Sequence, residues 1–423
     1  MTPEVEDRIE QIRHGNVPDG YIKVETAIIP DKWREVTLGD VINVFRGASP
    51  RPKGDPRYYG GSIPRLLIED LTRDGKCAIP QIDFLTEEGA QKSRLLPKGS
   101  LVMSCSGTRV GIIGFLGVDA CIHDGFFGFN GYKGIAPEYL YQYFQLISQS
   151  LQSSATQGGV FNNLTTDIMK TMKCCFPPVD EQHEIVKILT TQDKVIELKE
   201  RRLAEKQRQK KYLMQQLLTG KKRLPGFDGE WKAVKLSEVL LERKEKNAKQ
   251  DHRICSVAVQ KGVVDQIEHL GRSYAAADTS NYGVARYGDI IYTKSPTGDF
   301  PYGIIKQSQM NEAVAVSPLY GIYEPVCYEL GYILHTYFGY AVNCSNYLLP
   351  IIQKGAKNTI NITNDVFASN KLLLPMDHNE QKALAEIFIA ADKEIDLLRQ
   401  DIEHEKKKKK ALMQLLLTGI VRV

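Results

Sequence analysis

The chain has 423 residues, of which 42% are hydrophobic and 25% are charged, and its formal net charge at pH 7 is +4. This length predicts two or more domains, and the composition is ordinary for a globular protein. The mild positive charge permits nucleic-acid binding without requiring it, because lysine and arginine can concentrate on one face. No run of 18 apolar residues is present, which argues against a membrane helix. The acidic, polar N-terminus does not resemble a signal peptide, so we expect a cytoplasmic protein with no membrane partner.

Cysteine and histidine spacing argues against a metal site or a disulfide framework. The eight cysteines never form Cys-x-x-Cys, and the eight histidines show no metal-like spacing. The sequence therefore predicts free thiols in a reducing compartment and no bound metal.

Along the chain, helical and strand-rich segments alternate. Residues 1–32 predict a short helix and an extended segment, and residues 33–178 a strand-rich domain with a helix opening at Pro137. A long helical region follows over 179–222, with Asp180 as its expected N-cap and Gly220 at its end. Residues 223–374 predict a second strand-rich domain, and 375–423 a second long helical region.

The two helical regions are copies of one another, 199 residues apart. The repeated pieces are Glu181-Gln182, Asp193-Lys194, Leu213-Met214-Gln215 and Leu217-Leu218-Thr219-Gly220, which recur as Glu380-Gln381, Asp392-Lys393, Leu412-Met413-Gln414 and Leu416-Leu417-Thr418-Gly419. Trp33 and Trp231 continue the repeat into the strand-rich domains, which otherwise differ strongly.

Each helix has apolar residues every seven positions, a period typical of a coiled-coil seam. The seam positions are Leu189, Ile196, Leu203 and Leu217 in the first helix, and Phe388, Ile395, Ile402 and Leu416 in the second. Lys210 and Lys409 occupy one seam position each. The alternative is a helix lying on a globular core. Because two similar units usually pack about a pseudo-twofold axis, we expect an α+β protein whose helices pair as an antiparallel coiled coil and act as a ruler between two heads.

Several segments together resemble the DNA specificity subunits of type I restriction–modification systems. They are Gly20-Tyr21-Ile22-Lys23, Ile29-Pro30, Trp33, Leu38-Gly39-Asp40, Pro177-Pro178, Glu181-Gln182, Leu213–Gly220, Arg223-Leu224-Pro225-Gly226-Phe227 and Trp231. The resemblance covers the whole chain in the family's order. One departure is Met376-Asp377-His378-Asn379, which stands where the first unit has Pro177-Pro178-Val179-Asp180, so the second helix is expected to start differently.

The resemblance implies that residues 33–178 and 223–374 are target recognition domains, each reading one half of a bipartite site in double-stranded DNA. It also implies that the helices dock two methyltransferase subunits, which use S-adenosylmethionine to methylate adenine at N6. Motor-nuclease subunits with ATP and Mg would complete the restriction enzyme, and this chain itself would bind no cofactor.

No catalytic signature is present in the sequence. It lacks the Asn/Asp-Pro-Pro-Tyr motif of adenine methylases, a phosphate-binding Gly-x-x-x-x-Gly-Lys-Ser/Thr loop and a metal-nuclease pattern. His123 beside Asp124 is the best acid–base candidate, weighed against a surface or hydrogen-bonded histidine. Phe126, Phe127 and Phe129 are predicted to lie in the core. The lysine run 406–410 is interpreted as a solvated helix face or a partner surface.

The DNA-contact candidates are cations, amides and small hydroxyls on loops, together with Asp299, a carboxylate that could accept from a cytosine amino group or simply cap a turn. In the first domain they are Arg46, Ser49, Arg51, Lys53, Ser104, Ser106, Thr108, Arg109, Gln157, Asn162 and Asn163; in the second they are Lys294, Ser295, Thr297, Asp299, Lys354, Lys357, Asn358 and Thr359. The competing interpretation is that these loops are merely solvated turns.

Two other classes of function remain open on the sequence alone. A scaffold whose heads bind proteins predicts no sequence-dependent DNA affinity. A self-contained DNA-modifying enzyme predicts cofactor binding by this chain, against which the missing motifs argue.

Overall fold

A computed structural model describes residues 2–107, 109–154, 162–273, 275–354 and 360–423. The chain divides into two compact units: unit 1 is Met1–Glu200 with Asp401–Val423, and unit 2 is Arg201–Gln400. Each unit contains one strand-rich domain and one half of each long helix. The boundaries between the units therefore fall within the two long helices, whereas each copy of the sequence repeat contains one complete long helix.

The helices of the described chain begin and end as follows: α1 Pro3–Arg13, α2 Leu38–Val41, α3 Ile68–Asp74, α4 Glu87–Gln91, α5 Pro137–Ser154, α6 Thr166–Thr171, α7 Val179–Leu217, α8 Gln266–Leu270, α9 Tyr328–Phe338, α10 Ala341–Leu348, α11 Asn364–Ser369 and α12 His378–Leu417. Short 3₁₀ turns cover Leu236–Glu238 and Leu349–Ile351.

The long helices start differently, as the sequence predicted. Helix α7 begins at Val179, directly after two prolines, so Asp180 lies in its first turn rather than at its N-cap. Helix α12 begins at His378, and the carboxylate of Asp377 accepts hydrogen bonds from the backbone N–H groups of Asn379 (2.7 Å) and Glu380 (3.1 Å). A side-chain cap thus replaces the proline start in the second copy.

The strands of unit 1 are β1 Tyr21–Lys23, β2 Ile28–Pro30, β3 Arg34–Thr37, β4 Asn43–Arg46, β5 Tyr59–Leu66, β6 Cys77–Ala78, β7 Asp83–Leu85, β8 Arg94–Leu96, β9 Leu101–Ser104, β10 Ser106–Gly107, β11 Ile113–Leu116, β12 Ala120–Ile122, β13 Phe126–Asn130, β14 Asn162–Asn163 and β15 Lys173–Phe176. The larger sheets have the orders β4-β13-β9-β11-β6 and β7-β5-β12-β8, and β1-β2, β3-β15 and β10-β14 form pairs. Strands β1 and β2 make an antiparallel hairpin, where the sequence predicted only an extended segment.

The strands of unit 2 are β16 Lys232–Lys235, β17 Leu240–Glu242, β18 Arg253–Ala258, β19 Gly262–Asp265, β20 Gly283–Ala285, β21 Ile290–Tyr292, β22 Ile305–Gln307, β23 Val314–Val316, β24 Gly321–Pro325, β25 Gln353–Lys354, β26 Ile360–Asn361 and β27 Lys371–Leu374. Its sheets have the orders β17-β24-β21-β22 and β19-β18-β23-β20. These orders repeat β4-β13-β9-β11 and β7-β5-β12-β8. The central pairs β5-β12 and β18-β23 are both parallel, so the two domains share one topology despite their different sequences.

Each unit has its own apolar core. In unit 1, Phe127, Phe129 and Phe144 pack with Leu189 and Leu416 of the long helices. Phe126 lies in a neighbouring cluster and is 0% exposed. All three phenylalanines of the 126–129 segment are therefore core residues, as predicted. In unit 2, Phe388 of α12 packs against the second domain through Tyr332 and Ile333 of α9.

Within unit 1, α7 and α12 run antiparallel. Lys199 pairs with Asp401 (2.8 Å) and Glu405 (2.7 Å), and Asp193 pairs with Lys409 (2.6 Å). Residue numbers thus rise along α7 while they fall along α12. This confirms the predicted antiparallel pairing, here for the halves of the helices that belong to unit 1.

Within unit 2 the other halves pair in the same way. Lys206 lies 2.9 Å from Glu394, and Lys210 forms an ion pair with Asp392. Lys210 and Lys409 are repeat equivalents, and so are Asp392 and Asp193. The two seam lysines therefore make the same contact in each unit.

The apolar seam is buried at most positions. Leu189, Leu217, Phe388, Ile395, Ile402 and Leu416 are at most 5% exposed. Ile196 and Leu203 are only partly buried.

A tryptophan–glutamate–arginine clasp closes each unit. In unit 1, Glu181 accepts hydrogen bonds from the indole N–H of Trp33 (3.2 Å) and from the guanidinium of Arg422 (2.5 and 2.9 Å). In unit 2, Glu380 accepts from the indole N–H of Trp231 (3.2 Å) and from the guanidinium of Arg223 (2.8 and 2.7 Å). Each arginine follows the end of one long helix, and each glutamate lies in the first turn of the other.

Two further sequence expectations can be compared with the described chain. All eight cysteines are free thiols, as predicted. No helix of the described residues is long and apolar enough to cross a membrane.

Candidate nucleic-acid interface

The basic loop of the first domain is organised around one carboxylate. Ser49 donates a hydrogen bond to Asp124 Oδ1 (2.7 Å), Arg51 approaches Asp124 Oδ2 (3.4 Å), and Arg46 Nε donates to the Asp124 carbonyl (2.5 Å). The Ser49 hydrogen bond, with a smaller contribution from the charge on Arg51, holds the pKa of Asp124 below its usual value. Asp124 therefore gathers three of the predicted DNA-contact residues, Ser49 and Arg51 through its ionised carboxylate and Arg46 through its backbone carbonyl.

A second layer of contacts supports this loop. Arg65, only 7% exposed, forms an ion pair with Asp83 and donates from Nη2 to Ser49 Oγ (3.2 Å). Its guanidinium lies over the ring of Tyr59, 5.5 Å from the centroid, and the Tyr59 hydroxyl donates to the Pro50 carbonyl (3.0 Å). These contacts fix the loop from the domain side.

The loop also passes very close to the neighbouring strand. A Cβ at Gly47 would lie 2.2 Å from the carbonyl oxygen of His123. Only glycine fits that approach, so Gly47 positions the residues on either side of it.

Two short strands bring a second candidate segment to the same surface. Strands β10 and β14 pair Ser106 with Asn163 and Gly107 with Asn162. Arg46 Nη2 donates to Asn163 Oδ1 (3.2 Å). Arg46, Ser49, Arg51, Ser106 and Asn163 are therefore close together, although they come from three separate parts of the sequence.

The remaining candidates of the first domain have different placements. Ser104 is 0% exposed; its hydroxyl donates to the Arg109 carbonyl (2.9 Å) and accepts from the Ile112 N–H (3.0 Å), so it shapes the loop from inside. Lys53 and Arg109 are exposed. Thr108, Gln157 and the side chain of Asn162 lie outside the described residues.

His123 serves as a hydrogen-bond acceptor in this arrangement. Its Nδ1 accepts from the Gly125 N–H (2.9 Å), and its ring stands edge-on to Phe126 with centroids 4.8 Å apart. Burial, together with the charge on Arg65, lowers the pKa of His123 to about 4. It is therefore neutral at pH 7, and its contacts are those of the hydrogen-bonded histidine weighed in the sequence analysis.

The second domain presents a different set of groups after its strand β21. Lys294 is partly buried with a φ of 60°, and burial lowers its pKa. Ser295, Thr297 and Asp299 are exposed, on a turn closed by reciprocal hydrogen bonds of 3.0 Å between Thr297 and Phe300. The side chain of Lys354, and Lys357, Asn358 and Thr359 entirely, lie outside the described residues.

A cavity of about 900 Å³ in unit 2 adjoins this turn. Asp299 lines it together with Lys210 and Asp392 of the long helices, and Lys306 and His335 line it from the domain. Lys306 is 7% exposed, and burial, then the nearby charge of Lys210, lowers its pKa. Burial and the same two lysines lower the pKa of His335 to about 3, and its Nδ1 accepts from the Gln307 N–H (3.0 Å).

Sequence reasoning missed the groups that organise both surfaces. The basic loop of the first domain is positioned by Asp124, Arg65 and Asp83. The cavity of unit 2 is lined by Lys306. The sequence signal for Lys306 is weak, because the lysine follows only two apolar residues, Ile304 and Ile305. Nothing local in the sequence indicates that Arg65 contacts Ser49.

Comparison with known proteins agrees with this architecture. Residues 30–207 match the family model described as type I restriction modification DNA specificity domain. A type I restriction enzyme MjaVIII specificity subunit from Methanocaldococcus jannaschii is 25% identical, over 93% of this chain and 94% of the relative.

Two solved structures share the fold. A type I restriction–modification S subunit from M. genitalium has a TM-score of 0.57 at 12% identity, covering 93% of this chain and 98% of its own. A chain from a study of complex assembly and conformational transition of the type I restriction–modification system has a TM-score of 0.56 at 17% identity, covering 93% and 99%.

The family match covers the first strand-rich domain and much of α7, and the internal repeat carries the same pattern through the second half. The similarity to the MjaVIII relative spans nearly the full length of both proteins. Residues 30–207 therefore carry a type I restriction modification DNA specificity domain, and the chain resembles a type I specificity subunit over nearly its full length.

Proposed function

We propose that this protein is the non-catalytic DNA specificity subunit of a type I restriction–modification complex. Each strand-rich domain reads one half of a bipartite site in double-stranded DNA, and the long helices set the separation of the two halves. The helices also dock two methyltransferase subunits, which carry S-adenosylmethionine and methylate adenine at N6. Motor-nuclease subunits supply ATP and Mg chemistry when restriction occurs.

The observation that carries this proposal is one topology presenting two different polar surfaces. The first domain groups Arg46, Arg51 and Ser49 around Asp124. The second presents Lys294 and an exposed carboxylate, Asp299. Arginine can donate two hydrogen bonds to the edge of a guanine, and a carboxylate can accept one from a cytosine amino group. Two surfaces with such different groups favour two different half-sites.

Docking of two copies of one partner is supported by a repeated apolar position on the long helices. Leu198 of α7 is 63% exposed, and its repeat equivalent Leu397 of α12 is 55% exposed. A large apolar side chain kept outside the seam at the same place in both copies is consistent with burial by a partner. Two equivalent places favour two identical subunits.

Selection of DNA tests the proposal directly. The chain, co-expressed with its methyltransferase, should enrich two short words at constant separation from random duplex DNA, and methyl-adenine mapping should find both words methylated. Enrichment of no sequence would contradict the proposal and favour a protein-binding scaffold. Methylation by the purified chain alone would contradict its non-catalytic role.

Residues of the first surface should divide into base and phosphate contacts. Two hydrogen bonds orient Arg46, whereas the Arg51 side chain is 72% exposed and loosely paired. Arg46→Ala should cost about 1–3 kcal/mol of binding and relax one position of one half-site, whereas Arg51→Ala should weaken all sequences alike and lower the salt slope by about 1. Binding titrations over a site library at several salt concentrations measure both.

The second half-site provides the internal control for this pair of variants. Its preference should stay unchanged in both, because it depends on the other domain. A loss of preference in both half-sites with Arg46→Ala would show that the residue supports the fold rather than reads a base.

The two exposed leucines should control partner stoichiometry. Leu198→Asp or Leu397→Asp should each leave one methyltransferase subunit per chain, and the double variant none, because a charge at the centre of an apolar contact leaves it unpaired when buried. Native mass spectrometry of the co-expressed complex counts the subunits. Leu319→Asp, at a loop leucine that is 68% exposed, is the matched control; two subunits bound to the double variant would refute this docking site.

A further inference from the structure

Three side chains of types that can bind a metal ion lie close together where two helices of unit 2 begin. They are Cys327 at the N-cap of α9, Glu329 in its first turn, and His378, the first residue of α12. Their ligand atoms all lie within 4.8 Å of one another. Cys327 and Glu329 are partly buried, while His378 is exposed, so the cluster is open to solvent on one side.

The thiol of Cys327 is held in place by two hydrogen bonds. Its Sγ accepts from the backbone N–H of Leu330 (3.4 Å) and donates to Gln381 Oε1 (3.2 Å). Gln381 is anchored in turn by a hydrogen bond from Nε2 to the Pro375 carbonyl (2.8 Å). The N–H group directed at sulfur is the kind of outer contact that orients a metal ligand, whereas the hydrogen bond to Gln381 would be given up when the thiol loses its proton.

Unit 1 builds the same junction without two of these ligands. There Gln182, the repeat equivalent of Gln381, accepts from the backbone N–H of Ala136 (2.8 Å) at the start of α5. Val179 occupies the repeat position of His378. Ala136 directly precedes α5 as Cys327 directly precedes α9. Unit 1 thus forms this helix junction with Ala136 and Val179, so neither the thiol nor the imidazole is required for it.

We propose that Cys327, Glu329 and His378 form a zinc-binding site with one coordination position open to water. Thiolate, imidazole and carboxylate are all zinc ligands, and the mixture of soft and hard donors suits this borderline ion. Tetrahedral coordination needs ligand atoms about 3.2–3.8 Å apart, which the exposed imidazole of His378 can reach by a change of rotamer. The thiol proton leaves to solvent on coordination.

The ion would join the first turn of α9 in the second strand-rich domain to the first turn of α12. This goes beyond the proposed DNA-reading function and does not depend on it. Unit 2 would thereby gain a metal-dependent link between its domain and its long helix that unit 1 lacks. Histidine spacing alone could not predict the site, because its ligands come from two helix starts that are distant in the sequence.

Cobalt substitution tests the site in the full chain after chelator treatment. Co²⁺ should bind at one equivalent with a thiolate-to-metal charge-transfer absorption, and Zn²⁺ should displace it. Cys327→Ala and His378→Val install the residue types that unit 1 has at these places. The first should abolish the thiolate absorption, and the second should weaken binding by more than about tenfold.

Matched controls are Cys77→Ala and His404→Ala, which remove an exposed thiol and an exposed histidine elsewhere and should leave the titration unchanged. Absence of the thiolate band in the unmodified chain would overturn the proposal without any variant. Persistence of the band in Cys327→Ala would also overturn it. Zn²⁺ should raise the Tm of the unmodified chain but not of a folded Cys327→Ser variant, and an equal rise in both would count against the site.

Discussion

Reciprocal ion pairs on the helical seam are the constraint on which the rest of the structure depends. Lys409 meets Asp193 in unit 1, and Lys210 meets Asp392 in unit 2. A charged residue in an apolar seam usually costs stability but fixes the register of the helices. Here a shift of either helix by one heptad would separate both pairs and place each aspartate against an apolar residue of the facing seam. The pairs thus select one antiparallel alignment.

The same alignment explains why each compact unit is built from distant parts of the chain. Arg422 lies next to the last residue and completes the clasp on Glu181, whereas Arg223 follows α7 and completes the clasp on Glu380. The end of one helix therefore fastens the start of the other in both units. Truncation of either arginine would leave a buried glutamate with only its tryptophan partner. The protein would lose stability, because the buried carboxylate would then carry an unpaired charge.

Sequence reasoning succeeded where periodicity carried the information. The seven-residue period predicted that the helices pair, the 199-residue repeat predicted that they pair antiparallel, and Pro137 marked the start of α5 correctly. The two domains were predicted to be similar and strand-rich, but their strand order was not predicted, because it is set by long-range pairing that the diverged sequences do not reveal. The hairpin of β1 and β2 was missed for a similar reason, since each strand has only three residues.

At the candidate surfaces, residue type alone was a poor guide to exposure. Ser104 looked like a loop hydroxyl, yet it ends the buried strand β9 and bonds to its own loop. Asp124 was weighed only as a partner of His123, but it is the anchor of Arg46, Ser49 and Arg51. Such roles depend on contacts between segments far apart in the sequence, which local patterns do not contain.

We propose that the paired helices hold two base-reading domains at a set separation. A four-residue insertion in each helix, between Glu200 and Arg201 and between Gln400 and Asp401, would add about 6 Å of helix. Methyl-adenine mapping with the co-expressed methyltransferase should then show the same two half-sites separated by about one to two additional base pairs, since duplex DNA rises about 3.4 Å per base pair. Methylation at the original separation by a folded, active complex would contradict the claim.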